Sequence, residues 1–132
     1  MLLAEFDSEG ENVKHQYVGD INDYRKYALL RALSAGANRI GVCWMLTPDD
    51  GSTAGNKLEF LRQPERFRHF DPELFDILAH AASELDRRRL QTIEDSEAIP
   101  NAIYHNDTLP DDLFGRTAFM ERCRSPFRNA EL

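Results

Sequence analysis

A continuous run of apolar residues is the feature that most constrains the fold of this chain. Residues 39–46 read RIGVCWML, in which every residue after the first arginine is apolar or glycine. Such a run is typical of a strand that is buried on both faces in a mainly parallel sheet. It is followed by TPDDGSTAGN (47–56), a loop rich in turn-forming residues. Because open α/β sheets bind ligands at the carboxyl ends of their strands, we expect a site here.

The clearest helix is predicted in the segment DINDYRKYALLRALSAG (20–36). Asp20 or Asn22 can cap its first turn, and Gly36 marks its end. Apolar residues recur along this segment at helical spacing, and we assign them to the core rather than to a cofactor site. They are Tyr24, Tyr27, Leu30 and Leu33, with Ala28 and Leu29 alongside.

A second helix is predicted to begin at Asp71-Pro72, because Asp can cap a helix and Pro suits its first position. Its apolar face continues to the arginine run at 87–89. Weaker patterns predict a short helix at 57–62, a helix or a strand at 90–99, a strand at 102–105 and a final helix at 111–123.

This order of elements predicts one α/β domain over residues 1–132, a small Rossmann-like, three-layer arrangement with a short, mostly parallel sheet. Residues 1–12 fit either a loose arm or an edge strand built on Leu2, Leu3 and Phe6. Two or three predicted strands make a thin sheet, and the chain ends where a further strand would complete the pattern. We therefore expect an incomplete sheet that relies on a homo-oligomer or on a protein partner.

Charge limits the classes of partner. The 23 acidic and 16 basic residues give a net charge of −7, which opposes general attraction to a phosphate backbone. Nucleic acid would have to bind through a local patch, although both patches also fit ordinary solvated helix ends. The candidate patches are Arg62, Arg66 and Arg68, and Arg87, Arg88 and Arg89.

Cysteine usage and hydropathy predict a cytoplasmic protein without a membrane segment. Cys43 and Cys123 lie far apart without metal-ligand spacing, which favours buried thiols in a reducing compartment and argues against a zinc site. No stretch approaches the roughly 18 apolar residues of a membrane span. The first twelve residues lack the basic and apolar regions of a signal peptide.

Candidate chemistry begins at the start of the first helix, where Asp20, Asp23 and Lys26 lie close together. Asp23 and Lys26 are three residues apart and share a helix face, so an ion pair is the structural alternative to a catalytic role. Asp20 has the alternative of acting only as a cap. We keep Asp23 and Lys26 as catalytic candidates and Asp20 as a cofactor-binding candidate.

A second group follows the buried strand. Asp49 and Asp50 can bind Mg²⁺ or accept hydrogen bonds from a ribose, and Lys57 can face a phosphate. The alternative is a common Asp-Asp-Gly turn. No dinucleotide-binding GxGxxG or P-loop motif is present, because GSTAGNK is too short and lacks a hydroxyl residue after its lysine.

The third group is His105, Asn106 and Asp107, at the end of the last predicted strand. A histidine beside a carboxylate can transfer protons, so His105 is a catalytic candidate and Asp107 a cofactor-binding one. The structural alternative is a polar strand end that enters the turn at Leu109-Pro110.

Three segments carry a family resemblance: YVGDINDYRKYALLRAL (17–33), RIGVCWMLTPDDG (39–51) and FRHFDPELFDIL (67–78). They resemble the N-terminal half of a widespread bacterial family of uncharacterised cytosolic proteins, over about residues 15–110. In that family the chain continues into another apolar strand that ends in an Asp-Pro-Asp-Asn-Gly-like loop, which is absent here.

The layout of that family also resembles Rossmann-like RNA and DNA adenine methyltransferases. The resemblance implies that Asp20, Asp23 and Lys26 lie near the cofactor-side helix, that the TPDDG loop (47–51) replaces a glycine-rich loop, and that residues 105–107 lie near the adenine-binding edge. S-adenosylmethionine and Mg²⁺ are the cofactors it suggests, and the sequence does not choose between them. The glycine-rich loop and the Asp-Pro catalytic strand are departures from this pattern.

Two hypotheses follow. The first is a shortened domain of a methyltransferase- or nuclease-type enzyme that acts on nucleotides or nucleic acid and is inactive alone. The second is a non-catalytic, acidic protein-binding module or inhibitor, such as one carried by a mobile element.

Overall fold

A computed structural model describes residues 2–5, 14–36, 39–48, 51–52, 56–84 and 87–128 of the chain. The combination of helices and parallel strands confirms the predicted α/β class. Short 3-10 turns occur at His15–Tyr17, Glu59–Arg62 and Arg68–Phe70. The regular elements in chain order are β1 (Leu2–Glu5), α1 (Ile21–Ser34), β2 (Ile40–Cys43), α2 (Pro64–Phe67), α3 (Pro72–Ala82), α4 (Leu90–Asp95), β3 (Ala102–His105) and α5 (Leu113–Arg128).

The described strands form a parallel sheet in the order β1-β2-β3. Residues 2–5 therefore adopt the edge strand that was one of the two alternatives for this segment, whereas residues 6–12 lie outside the described residues. The strand order is sequential and contains no reversal of the kind that defines a doubly wound sheet. The structure thus supports a small α/β domain without making it Rossmann-like.

β2 is buried along its whole length, as its apolar sequence predicts, but it is shorter than the predicted strand over 39–46. Its regular part ends before Met45, whose φ of 50° breaks the extended conformation. Leu46 then rejoins the sheet through a parallel bridge to Thr108. The sheet therefore continues past the end of β3, with an irregularity next to its carboxyl edge.

Helices cover both faces of the sheet. Ile40, Val42 and Trp44 point into the larger core, which α1, α3 and α4 share. Cys43 points the other way and packs with Phe119 and Cys123 of α5. Because the side chains of β2 alternate between the two faces of the sheet, this strand packs against helices on both sides, which gives three layers.

Of the two predicted caps of α1, Asp20 and Asn22, the structure shows Asp20 in that role. Its Oδ1 accepts hydrogen bonds from the amides of Asn22 and Asp23 at 2.8 and 3.0 Å. Most of the predicted core face is buried, but the predictions for Leu29 and Leu33 are wrong, because they are 58% and 42% exposed. Leu33 lies in the last turn of the helix, which ends at Ser34.

The other elements follow their sequence patterns with shifted ends. Asp71 caps α3 by accepting from the amide of Leu74 at 3.1 Å, but the helix ends at Ala82, before the arginine run. The ambiguous segment 90–99 contains α4 and no strand, whereas 102–105 is the predicted strand. α5 runs through Gly115, where a Cβ atom would lie 2.7 Å from Cβ of Pro110, so a close approach explains this glycine.

Gly19 fixes the chain between the first 3-10 turn and α1. Its φ of 88° is in the left-handed region, and a Cβ atom there would lie 3.3 Å from Cβ of Ala82 in α3. We expect Gly19→Ala to lower the free energy of unfolding by about 1–2 kcal/mol, measured by urea denaturation. Gly51→Ala is the matched control, because Gly51 has a φ of 70° but a Cβ atom added there would meet no atom within 4 Å. Equal losses in both variants would show that contact with α3 contributes nothing.

Candidate functional site

A cleft of about 360 Å³ opens at the carboxyl ends of β2 and β3. Leu46 follows β2 and Asn106 follows β3, whereas the opposite wall comes from the first 3-10 turn and the start of α4. This is the end of the sheet at which the sequence analysis expects a site. We name it the edge cleft; its lining residues are His15, Leu46, Arg89, Leu90, Gln91 and Asn106.

Hydrogen bonds decide which polar atoms of the edge cleft are available to a ligand. The amide of Leu90 donates to Nδ1 of His15 at 3.2 Å, so a neutral His15 carries its proton on Nε2. Nδ2 of Asn106 donates to Glu94 at 3.3 Å, and Nε2 of Gln91 donates to Asp95 at 2.7 Å, so both amide oxygens can accept. With the exposed guanidinium of Arg89, the cleft offers a cation, an imidazole donor and amide acceptors.

A network of hydrogen bonds and ring contacts connects the edge cleft to the core. The indole nitrogen of Trp44 donates to Glu94 Oε1 at 2.8 Å, and the same carboxylate accepts from Asn106. Trp44 stacks on Tyr104 with ring centroids 5.7 Å apart and meets Tyr27 edge-on at 5.8 Å. Asn106 is thus connected to the aromatic core through one carboxylate.

Trp44 and Glu94 were not predicted from the sequence as parts of the site. They lie 50 residues apart, one at the end of a strand and the other in a short helix. A tryptophan in an apolar run and a glutamate in a polar helix carry no local signal that they are paired.

Asp20, Asp23 and Lys26 lie together at the start of α1, as predicted, but the two carboxylates are partly or fully buried. The amide of Gly19 donates to Asp23 Oδ2 at 3.0 Å, and the Tyr27 hydroxyl is also hydrogen-bonded to Asp23. Burial and the neighbouring charge of Asp20 raise the pKa of Asp23 from 3.8 to about 7, against the opposing effect of Lys26. Asp23 therefore changes its protonation state near neutral pH.

His105 lies on the other face of the sheet. Its ring meets Phe119 of α5 at 5.1 Å, and its Nε2 is 3.8 Å from Oδ2 of Asp107. Neighbouring residues of a strand point to opposite faces, so Tyr104 packs in the larger core while His105 faces α5. The three catalytic candidates Asp23, Lys26 and His105 are therefore not brought into one site.

Of the candidates in the loop after β2, Asp49 and Asp50 lie outside the described residues. Lys57 is exposed, and its carbonyl accepts from the amide of Ile21 at 3.2 Å, which ties the end of the loop to the start of α1. Lys57 belongs to a second cleft of about 440 Å³, which we name the aromatic cleft. Its lining residues are Ile21, Asn56, Lys57, Glu59, Phe60, Gln63 and Phe67.

The two predicted arginine patches are only partly available. Arg68 pairs with Asp76 at 2.8 Å and Arg87 with Glu84 at 3.2 Å. Arg88 donates to the carbonyl of Val18 and to the side chain of Asn56. Arg62, Arg66 and Arg89 are exposed.

The described residues hold neither a metal-binding cluster nor a membrane span. Among them, no group of three or more His, Cys, Asp or Glu side chains is arranged to hold a metal ion. The helices in the same part of the chain include none that is long and apolar enough to cross a membrane.

No protein-family model, curated protein or solved structure matches this chain. The resemblance to the bacterial family and to adenine methyltransferases therefore stays a prediction, which rests on the three quoted segments.

Proposed function

We propose that this chain is an α/β domain that binds a nucleotide or nucleic acid, with a phosphate and its sugar held in the edge cleft. The observation that carries the proposal is the set of groups at the carboxyl ends of β2 and β3, where Arg89, His15 and Asn106 line one cleft. This edge is where parallel α/β sheets commonly bind phosphorylated ligands.

Each group has a distinct role in this proposal. The guanidinium of Arg89 is planar and permanently charged, so it can donate two parallel hydrogen bonds to a phosphate. The Nε2 proton of His15 is a further donor, and the amide oxygens of Gln91 and Asn106 can accept from sugar hydroxyls. The net charge of −7 opposes general attraction to nucleic acid, so binding requires local cations such as Arg89.

The wider proposal is that the ligand is the substrate of a methyltransferase- or nuclease-type reaction, and it rests on the resemblance. Within it, Asp23 is the candidate whose pKa lies near the working pH of a general acid or base, but it lines neither cleft. Lys26 is the cation beside it. His105 and Asp107 lie against α5 and have no part in this proposal.

The protein-binding alternative is favoured by a different observation. Leu113 and Phe114, at the start of α5, are 83% and 91% exposed. Adjacent apolar side chains of this size on a surface often mark an interface. A mass above that of the monomer, lost on Phe114→Ser, would support this alternative.

Arg89→Gln is expected to raise the Kd for phosphorylated ligands about tenfold, because a hydrogen bond to a charged group is removed. The ligands are ribose 5-phosphate, AMP and a single-stranded hexanucleotide. The chain has one tryptophan, Trp44, which is connected to the cleft through Glu94, so its fluorescence follows binding. Calorimetry measures the same constants without relying on that residue.

Arg124→Gln is the matched control, because it removes the same charge from an exposed position on α5. We expect it to bind all three ligands like the wild type. The proposal is wrong if none of the ligands binds the wild type, or if both arginine variants weaken binding equally.

A further inference from the structure

The aromatic cleft has an apolar corner that suits a flat ring. The rings of Phe60 and Phe67 have centroids 6.0 Å apart and planes at 85°, and Ile21 completes the floor. Phe60 is only 4% exposed, so the more exposed Phe67 is the ring that a ligand can contact. A planar ligand can lie against one ring with its edge on the other, a geometry that aromatic rings favour.

The rim of the aromatic cleft carries hydrogen-bonding groups of the kind that recognise nucleobases. Asn56 Oδ1 accepts from Arg88 at 2.6 Å, which leaves the donors of its amide for a ligand. Gln63 brings a second amide, and side-chain amides pair with the edges of bases. Lys57 adds a cation, whereas Glu59 keeps the site from being uniformly positive.

The two clefts are linked through a pair of consecutive residues. The Arg88 guanidinium is held by the carbonyl of Val18 at 2.9 Å and by Asn56, which lines the aromatic cleft. The next residue, Arg89, lines the edge cleft. Arg88 and Arg89 therefore connect the lining of one cleft to that of the other.

We propose that the aromatic cleft is a base-binding subsite, which takes a planar heterocyclic base linked to the phosphate that the edge cleft holds. This inference rests on the proposed function, because it locates the base of the same ligand. Such a base comes either from a free nucleotide or from an unpaired residue of a nucleic acid. The volume of the aromatic cleft, about 440 Å³, lies in the range of small-ligand sites.

The net charge of the chain does not determine whether the aromatic cleft can bind a base. Charges separated by more than about 8 Å are largely screened at physiological ionic strength. The local cations Lys57 and Arg66 therefore matter more than the distant acidic residues, and the Arg66 guanidinium lies 5.2 Å from the centroid of Phe67. A cation beside an aromatic ring is common where bases stack.

The experiment compares probes with and without a base. Phe67→Leu keeps apolar volume and removes the ring face, and we expect it to raise the Kd for AMP and for a single-stranded hexanucleotide about tenfold. Ribose 5-phosphate, which has no base, should bind this variant like the wild type. Phe70→Leu is the matched control, because Phe70 is 71% exposed and outside the cleft. It should leave all three Kd values unchanged.

A second variant covers the risk that Phe67→Leu disturbs the fold. Gln63→Ala changes only the rim and should weaken AMP and the hexanucleotide several-fold, again without affecting ribose 5-phosphate. Lys57→Gln distinguishes the two sources of the base. If the hexanucleotide binds at least tenfold more tightly than AMP, and Lys57→Gln removes this difference, the base belongs to a nucleic acid. Equal Kd values for the two ligands indicate a free nucleotide.

Different experimental results would contradict the base subsite and the proposed function. If AMP and ribose 5-phosphate bind equally and neither Phe67→Leu nor Gln63→Ala changes AMP binding, the base subsite is wrong and the edge cleft stands. If ribose 5-phosphate binding is insensitive to Arg89→Gln, the proposed function itself is wrong. Absence of binding by all three probes overturns both.

Discussion

Replacing Asp23 with asparagine is expected to remove a fall in stability that the wild type shows between about pH 4 and pH 7. The pKa of Asp23 is raised from 3.8 to about 7, first by burial and then by the charge of Asp20. The folded protein therefore binds this proton more tightly than the unfolded chain does. Its contribution is complete below about pH 4 and is lost as the pH rises through 7, a loss on the order of 4 kcal/mol.

The measurement is urea denaturation followed by circular dichroism at several pH values between about 3 and 8, which bracket the two pKa values. The asparagine side chain would keep an oxygen that can accept from the Gly19 amide while it removes the titration, so the variant should be relatively more stable at high pH. Asp111→Asn, at an exposed position before α5, is the control and should follow the wild-type profile. A profile of Asp23→Asn that runs parallel to the wild type would contradict the prediction.

Asp20→Asn tests the second cause of the shift. Asparagine is a good helix cap, so α1 should keep its start while the neighbouring charge disappears. We expect the pKa of Asp23, measured by NMR titration, to move down but to stay above the usual range, because burial is the larger cause. An unchanged pKa would show that Asp20 does not act on Asp23.

Local signals were sufficient to predict much of the fold. The apolar run at 39–46 predicted a buried strand, and β2 is buried on both faces. Asp71-Pro72 predicted a helix start, and α3 begins at Pro72. In each case the residues that cause the structure are adjacent in the chain, so the sequence alone contains the reason.

The ends of elements were harder to predict, because distant residues decide them. The backbone at Met45 interrupts β2 although its side chain suits a strand. Leu33 has the right spacing for the core face of α1, but its side chain stays exposed while its neighbour Ser34 is buried. The burial of a helix face depends on its partners, which an amphipathic pattern does not identify.

The candidate site shows the same limit more strongly. The edge cleft joins His15, Arg89 and Asn106, and the contact between His15 and Leu90 spans 75 residues. Strand alternation also separated the candidates at His105 from those at Asp23, because the face on which each strand residue packs depends on the helix that covers it. The sequence predicted the end of the sheet but not the side chains that meet there.

Replacing Trp44 with phenylalanine is expected to lower the free energy of unfolding by about 2–3 kcal/mol, because two contributions are lost together. The smaller ring leaves a cavity between Tyr27 and Tyr104, and the hydrogen bond of 2.8 Å to Glu94 disappears. Urea denaturation measures the loss. Phe60→Leu, which shrinks another buried ring without a hydrogen bond to a carboxylate, is the control for the cavity alone.

The same variant separates a structural role of the network from a role in the cleft. Without the indole donor, Glu94 keeps only the long contacts of 3.3 Å from Asn106, so the amide should lose its fixed orientation. We therefore expect Trp44→Phe to weaken ribose 5-phosphate several-fold by calorimetry, and a double-mutant cycle with Glu94→Gln to show coupling. Additive effects of the two substitutions, with unchanged affinity, would mean that Trp44 stabilises the core while the edge cleft is organised without it.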